Sequence, residues 1–174
     1  MLTYGGSDQE WKPEKNMYCD ADWALSSDRE STSRYVFLLA GGAVSWSSKK
    51  QATVALSTAE AEYIAATHAA KQILWHQSLF NELEIPQPET SVLFSDNQAA
   101  ITISHHSEFH ARMKHINIAH HFLCDLVESG MIEIIYIQTH ENLADVFTKE
   151  LPKLLHQDLT TGIEVIFDQG GLLE

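Results

Sequence analysis

Apolar positions along this chain change period several times, and the changes divide it into elements. Residues 17–23, 35–39 and 43–46 are short apolar or aromatic runs of strand length, and Gly41-Gly42 between the last two predicts a hairpin. The opening therefore reads as a three-stranded antiparallel meander. From Ala61 to about Leu83 the spacing becomes helical, with Tyr63, Ile64, Ala70, Leu74, Trp75, Leu79 and Leu83 recurring until Pro86 and Pro88 stop it. Ser57 with Glu60 three residues later is the reciprocal pair of a capping box and marks the start of that helix.

The run 91–95 is a short strand whose apolar Val92, Leu93 and Phe94 suit a central position. Asp96-Asn97 turns it into a helix over 98–104, which puts Asp96 at the carboxyl end of a strand, where open α/β sheets place ligands. A histidine-rich loop leads to an amphipathic helix near 115–128, ended by Ser129-Gly130, then a strand over 132–137 and a last helix at about 142–149. The order βββαβααβα predicts an α/β domain with a mixed sheet. Residues 1–16 read as a lead-in with one short strand at 2–4, residues 17–152 as the domain, and 153–174, beyond Pro152, as a weakly patterned peripheral tail.

Composition narrows the class. The chain has 174 residues, 44% of them apolar, enough for one ordinary core. Eleven Lys and Arg against 24 Asp and Glu give a net charge of −13, which excludes nucleic-acid binding through bulk positive charge and suits an acidic surface or a metal site. Cys19 and Cys124 lie far apart without CxxC spacing, so neither a disulfide framework nor a sulfur-ligated zinc site is expected. With neither a signal-peptide pattern nor an apolar stretch of spanning length, the expectation is a cytoplasmic or nuclear protein without membrane insertion.

Four acids stand where solvation alone would not put them. Asp20 interrupts an apolar strand, Glu62 lies in the second turn of a core helix, Asp96 ends a buried strand, and Asp145 lies between Ala144 and Val146. Lone carboxylates in such places are costly unless paired or bound to a cation, and hard divalent ions with oxygen ligands remove the cost. The histidines, including His105-His106, His110, His115 and His120-His121, lack HExxH spacing and read as surface groups.

The blocks Tyr18-Cys19-Asp20-Ala21-Asp22-Trp23-Ala24, Ser31-Thr32-Ser33, Tyr35-Val36-Phe37, Gly41-Gly42-Ala43-Val44-Ser45-Trp46-Ser47-Ser48-Lys49-Lys50-Gln51, Val54-Ala55-Leu56-Ser57-Thr58-Ala59-Glu60-Ala61-Glu62-Tyr63, Ser95-Asp96-Asn97-Gln98-Ala99-Ala100-Ile101, Lys114-His115-Ile116 and Ala144-Asp145-Val146-Phe147-Thr148-Lys149 follow one another in this chain. Together they resemble the ribonuclease H domain of copia-type LTR retrotransposon Pol polyproteins over roughly residues 2–152. The resemblance implies a ribonuclease H-like fold, a five-stranded mixed sheet with three antiparallel strands then two parallel ones, flanked by helices. It also implies endonucleolytic hydrolysis of the RNA strand of RNA/DNA hybrids with two Mg²⁺ ions, for which Mn²⁺ substitutes.

By the same resemblance Asp20, Glu62, Asp96 and Asp145 are the catalytic metal ligands, Asp20 bridging both ions and Glu62 also meeting a substrate 2′-hydroxyl. Glu60 lies only two residues from Glu62 but about 200° around a helix and belongs to the cap. Asp22, on the same strand face as Asp20, is left as a neighbour of the ligands or as a solvated or structural acid. Phosphate contacts fall to Asn97, Gln98, Lys49, Lys50, Arg112 and Lys114, and a basic track must be narrow because Gln72 through Ala111 contain no Lys or Arg. His140, five residues before Asp145, is a further candidate, for aiding product release.

The chain departs from the family pattern at Leu25-Ser26, at Arg34 in place of the usual Gly, and at Asn117 and Ala119, where relatives often carry an acid and an arginine. Met1 opens the chain inside what is normally the joint after a reverse transcriptase domain, the expected partner in the same polyprotein. The alternative to an active enzyme is a catalytically silent retroelement remnant, or an adopted nucleic-acid or protein-binding module that retains the fold.

Overall fold

Strand pairing in the computed structural model, which describes residues 15–23, 30–105, 117–147 and 151–163, follows the meander that the apolar runs predict. β1 (Lys15–Asp22), β2 (Thr32–Leu39) and β3 (Gly42–Lys50) pair antiparallel in sequence order. β1 starts at Lys15, slightly inside the predicted lead-in, and the short strand expected at 2–4 lies outside the described residues. Leu39 pairs with Gly42, so the two-residue turn is Ala40-Gly41 rather than Gly41-Gly42. Both turn residues have positive φ, 51° and 84°, the geometry that matches the twist of the flanking strands. Ala40 adopts it despite its Cβ, which is why the glycine pair misplaced the turn by one residue.

Helix α1 (Thr58–Glu82) crosses from β3 to β4 (Ser91–Ser95), which adds to β1 in parallel. β5 (Ile132–Tyr136) adds in parallel to β4 after α2 (Gln98–His105) and α3 (Asn117–Glu128). The sheet order is β3-β2-β1-β4-β5, the mixed five-stranded arrangement expected, with three antiparallel strands and two parallel additions. Ala66, Ala69 and Ala70 of α1 are buried among Met17, Cys19, Leu93 and Ile132 of the sheet, and small side chains let the helix axis approach closely.

The opposite face is covered differently from expectation. Instead of an α-helix over 142–149, two 3₁₀ segments occur at Thr139–Glu141 and Leu143–Phe147. Asn142 diverts the chain between them, because its side-chain oxygen accepts from the Ala144 N–H at 3.2 Å and its own carbonyl takes the Asp145 N–H at 3.0 Å. The stretch beyond Pro152 is not unpatterned: Lys153–Gly162 form helix α4. Ile163 packs with Val36, Leu38 and Ala43, and a Cβ on Gly162 would meet Leu143 Cδ2 at 2.8 Å, so α4 and the second 3₁₀ segment share a tight seam. Among the described residues no helix is long and apolar enough to cross a membrane.

Candidate metal centre

Parallel pairing of β1 with β4 ends at Tyr18 opposite Phe94. Two residues farther along each chain come Asp20 and Asp96, so the register itself brings the two carboxylates to one level at the carboxyl end of the parallel pair. Glu62 reaches the same place from the start of α1. Asp20, Glu62 and Asp96 each offer a carboxylate oxygen, and the three oxygens lie within 4.8 Å of one another. Asp20 and Glu62 are buried and Asp96 is half-buried. Among the described residues this is the one group of three or more His, Cys, Asp or Glu side chains arranged so.

Their combined field is felt by Cys19. The thiol is pushed well above its ordinary range, first by burial and then by the charges of Glu62, Asp20 and Asp96, so it stays protonated and inert. Three hard oxygen donors and no thiolate or imidazole make a set suited to a hard divalent cation. Three carboxylates this close repel one another, and a divalent cation among them removes the repulsion.

Neighbouring side chains fix the elements that carry these acids. Gln51, 1% exposed, donates from Nε2 to Ser33 Oγ and to the Ala61 carbonyl, both at 2.8 Å, and so ties the first turn of α1 to β2. The indole of Trp23 donates to the Ala55 carbonyl at 3.0 Å and holds the loop entering α1. Ser57 Oγ accepts from the Glu60 N–H at 3.2 Å, while the Glu60 carboxylate accepts at 2.8 Å from the N–H of Leu56, one residue before the expected cap position. Glu60 thus serves the helix end, and Glu62 faces the other acids. Asn97 Oδ1 accepts from the Ala100 N–H at 3.0 Å and caps α2, which spends that oxygen on structure rather than on a ligand.

Asp145 is buried on the second 3₁₀ segment but stands outside the group of three. It lines an open groove of about 650 Å³ with Tyr136, Gln138, Thr139, His140 and Leu155. Asn142, absent from the sequence candidates, holds this segment to the site: its amide donates to the Cys19 carbonyl at 2.9 Å, next to Asp20. The sequence carries no signal for it: only the fold buries Asn142 completely against β1.

Asp22 is buried, not solvated, and pairs with Arg34 Nη2. Arg34 is the register partner of Asp20, and its Nη1 lies 3.7 Å from Asp20 Oδ2. The phosphate-contact candidates divide. Lys49 lines a groove of about 200 Å³ with Ser33, Tyr35, Ser47, His68 and Lys71, whereas Lys50 pairs with Glu30 at 3.6 Å and Gln98 is exposed on the first turn of α2. Burial and the charges of Lys71 and Lys49 push the His68 imidazole below its ordinary value, in that order of effect. Arg112 and Lys114 lie outside the described residues, as do His106, His110 and His115.

Comparison with known proteins gives a consistent picture. The chain is 44% identical over 153 residues, 87% of its length, to the "Retrovirus-related Pol polyprotein from transposon TNT 1-94" of Nicotiana tabacum. It is 39% identical over 150 residues to that from transposon RE2 of Arabidopsis thaliana. It spans only 11% and 10% of those polyproteins. No protein-family model matches. Among solved structures, ribonuclease H1 LC11, isolated from compost, superposes with a TM-score of 0.57 at 12% identity, over 77% of this chain and 91% of that one. The N-terminal ribonuclease H domain of a Mycobacterium tuberculosis protein superposes with a TM-score of 0.54 at 10% identity, over 86% and 98%. These likenesses establish the ribonuclease H fold.

Proposed function

The chain belongs with the ribonuclease H domains of copia-type retrotransposon Pol polyproteins, and from that premise we propose that it hydrolyses the RNA strand of RNA/DNA hybrids. The observation that carries this reading is the convergence of Asp20, Glu62 and Asp96 within 4.8 Å. In this reading those three carboxylates, with Asp145 from the neighbouring segment, hold Mg²⁺ or Mn²⁺. Ions held there would supply Lewis-acid chemistry, toward an attacking water and toward the leaving oxygen of a phosphodiester.

The protein's own part is positioning. Asp20 and Asp96 are set by strand register and Glu62 by the Gln51 and Ser57 bonds around the start of α1, so the donors are prearranged and reorganise little when charge develops. Asp145 faces a groove open to solvent, a position suited to the water side of the scissile bond. Lys49 and Lys71 line one small groove in an otherwise acidic protein and suit a nucleic-acid backbone phosphate. Within a polyprotein, the reverse transcriptase domain would supply the rest of the hybrid contact.

The test is cleavage of a labelled RNA/DNA hybrid at low salt with Mg²⁺ or Mn²⁺, with Asp96→Asn as control. Cutting of the RNA strand alone, abolished by chelator and by the substitution, is the expected outcome. A folded protein that neither cuts nor binds the hybrid would sink the reading. One observation favours the alternative of a silent remnant, namely the Arg34 guanidinium beside Asp20.

A further inference from the structure

Arg34 is 6% exposed, an unusual degree of burial for an arginine, and it is anchored from two strands. On β1 it pairs with Asp22 through Nη2 and stands 3.7 Å from Asp20 Oδ2 through Nη1. On β3 its Nε donates to Ser48 Oγ at 3.4 Å. The antiparallel register makes Arg34 the residue directly opposite Asp20, so the position of the guanidinium is set by the sheet and not by side-chain choice alone. Guanidinium does not lose its proton in a protein, so this charge is permanent.

A cation on Asp20 would therefore always face a fixed like charge across one strand spacing, with little water between to screen it. We propose that Arg34 is a built-in cation of the carboxylate cluster, which competes electrostatically with divalent metal for Asp20 and weakens metal uptake by this chain. The inference rests on the reading of Asp20, Glu62 and Asp96 as a metal centre. It adds that the centre is tuned by a residue outside the ligand set. Arg34 also offsets the repulsion among Asp20 and Asp22 when metal is scarce, so the same contact that stabilises the fold opposes loading of the site.

The experiment is a Mn²⁺ titration of the full chain, reading free Mn²⁺ by electron paramagnetic resonance, with folding checked by circular dichroism. Arg34→Gln removes the charge while keeping part of the stem. Arg34→Gly with Asp22→Asn removes both members of the ion pair, so no buried Asp22 charge is left behind to unfold the protein. Arg34→Gln should bind Mn²⁺ at least about tenfold more tightly than wild type, about 1.4 kcal/mol, and the double variant, which gives up the Asp22 anion along with the Arg34 cation, should bind it more tightly by a smaller factor. Each should also gain more thermal stability from the same Mn²⁺ concentration, because binding to the folded state alone raises stability in proportion to log affinity. Equal affinity in wild type and folded variants, lost in Asp96→Asn, would overturn this proposal and leave the metal centre standing. No Mn²⁺ uptake by wild type or by either folded variant would overturn both.

Discussion

Replacing Asn142 by Ala tests how the Asp145 segment is held against the sheet. Asn142 is fully buried and makes two side-chain hydrogen bonds, donating to the Cys19 carbonyl at 2.9 Å and accepting from the Ala144 N–H at 3.2 Å. Alanine removes both, leaving a buried carbonyl and a buried N–H, each costing about 1–3 kcal/mol when no partner replaces the lost one. The sum is about 3 kcal/mol. At about 2 kcal/mol per molar urea, that loss moves the unfolding midpoint down by about 1.5 M. Urea titration followed by circular dichroism gives the number directly. Asn142→Asp should be no better, because a carboxylate keeps the acceptor for Ala144 but turns an anion toward the Cys19 carbonyl. A midpoint that falls by less than about 0.3 M in Asn142→Ala would refute the reasoning, since it would mean that the two buried groups find other partners at no cost.

Four further predictions separate neighbouring roles. Glu60→Ala should destabilise the metal-free protein by about 1–2 kcal/mol through loss of the bond from the Leu56 N–H. Glu62→Gln, two residues on, should raise its thermal midpoint, because it takes one charge out of a repelling trio. Lys49→Glu combined with Lys71→Glu should weaken hybrid binding and flatten the slope of log affinity against log salt by about 1 to 2, as measured by fluorescence anisotropy; an unchanged slope would remove the groove from the binding path. The His68 imidazole should titrate below the ordinary histidine value by NMR. Since its folded-state pKa is lowered, its contribution to stability is fully present above the unfolded imidazole pKa and is lost as pH falls through the folded value. His68→Gln should flatten stability against pH in that window.

Much of this architecture was legible in the sequence because it depends on near neighbours. The apolar runs, the Ser57 and Glu60 cap, and the prolines after Leu83 act within a few residues; they locate β1 to β4 and α1, although β2 begins three residues before its apolar run and β3 continues four residues past its own, through polar positions. The errors have local causes too. Ala40 takes a positive φ that its side chain does not announce, and Asn142 redirects an apparent helix into 3₁₀ turns through bonds made with β1. Leu155, Leu159 and Ile163 did carry a four-residue spacing, but a signal of three residues beyond a proline is weak until β2 supplies Val36 and Leu38 for Ile163 to pack against.

The amino-acid sequence by itself nominated four acids, Asp20, Glu62, Asp96 and Asp145, through their apolar surroundings and the motif blocks around them. The tertiary structure decided which of them meet. Asp20 and Asp96 share a level because β1 and β4 pair in parallel with Tyr18 opposite Phe94, a register that no local pattern encodes. The same holds for Arg34: in the chain it is one charged residue in a polar stretch, and only antiparallel pairing sets it opposite Asp20 and buries it against Asp22. A charge has the same formal value wherever it lies in a sequence. Its effect depends on distance and on the water left around it, and both are properties of the folded sheet.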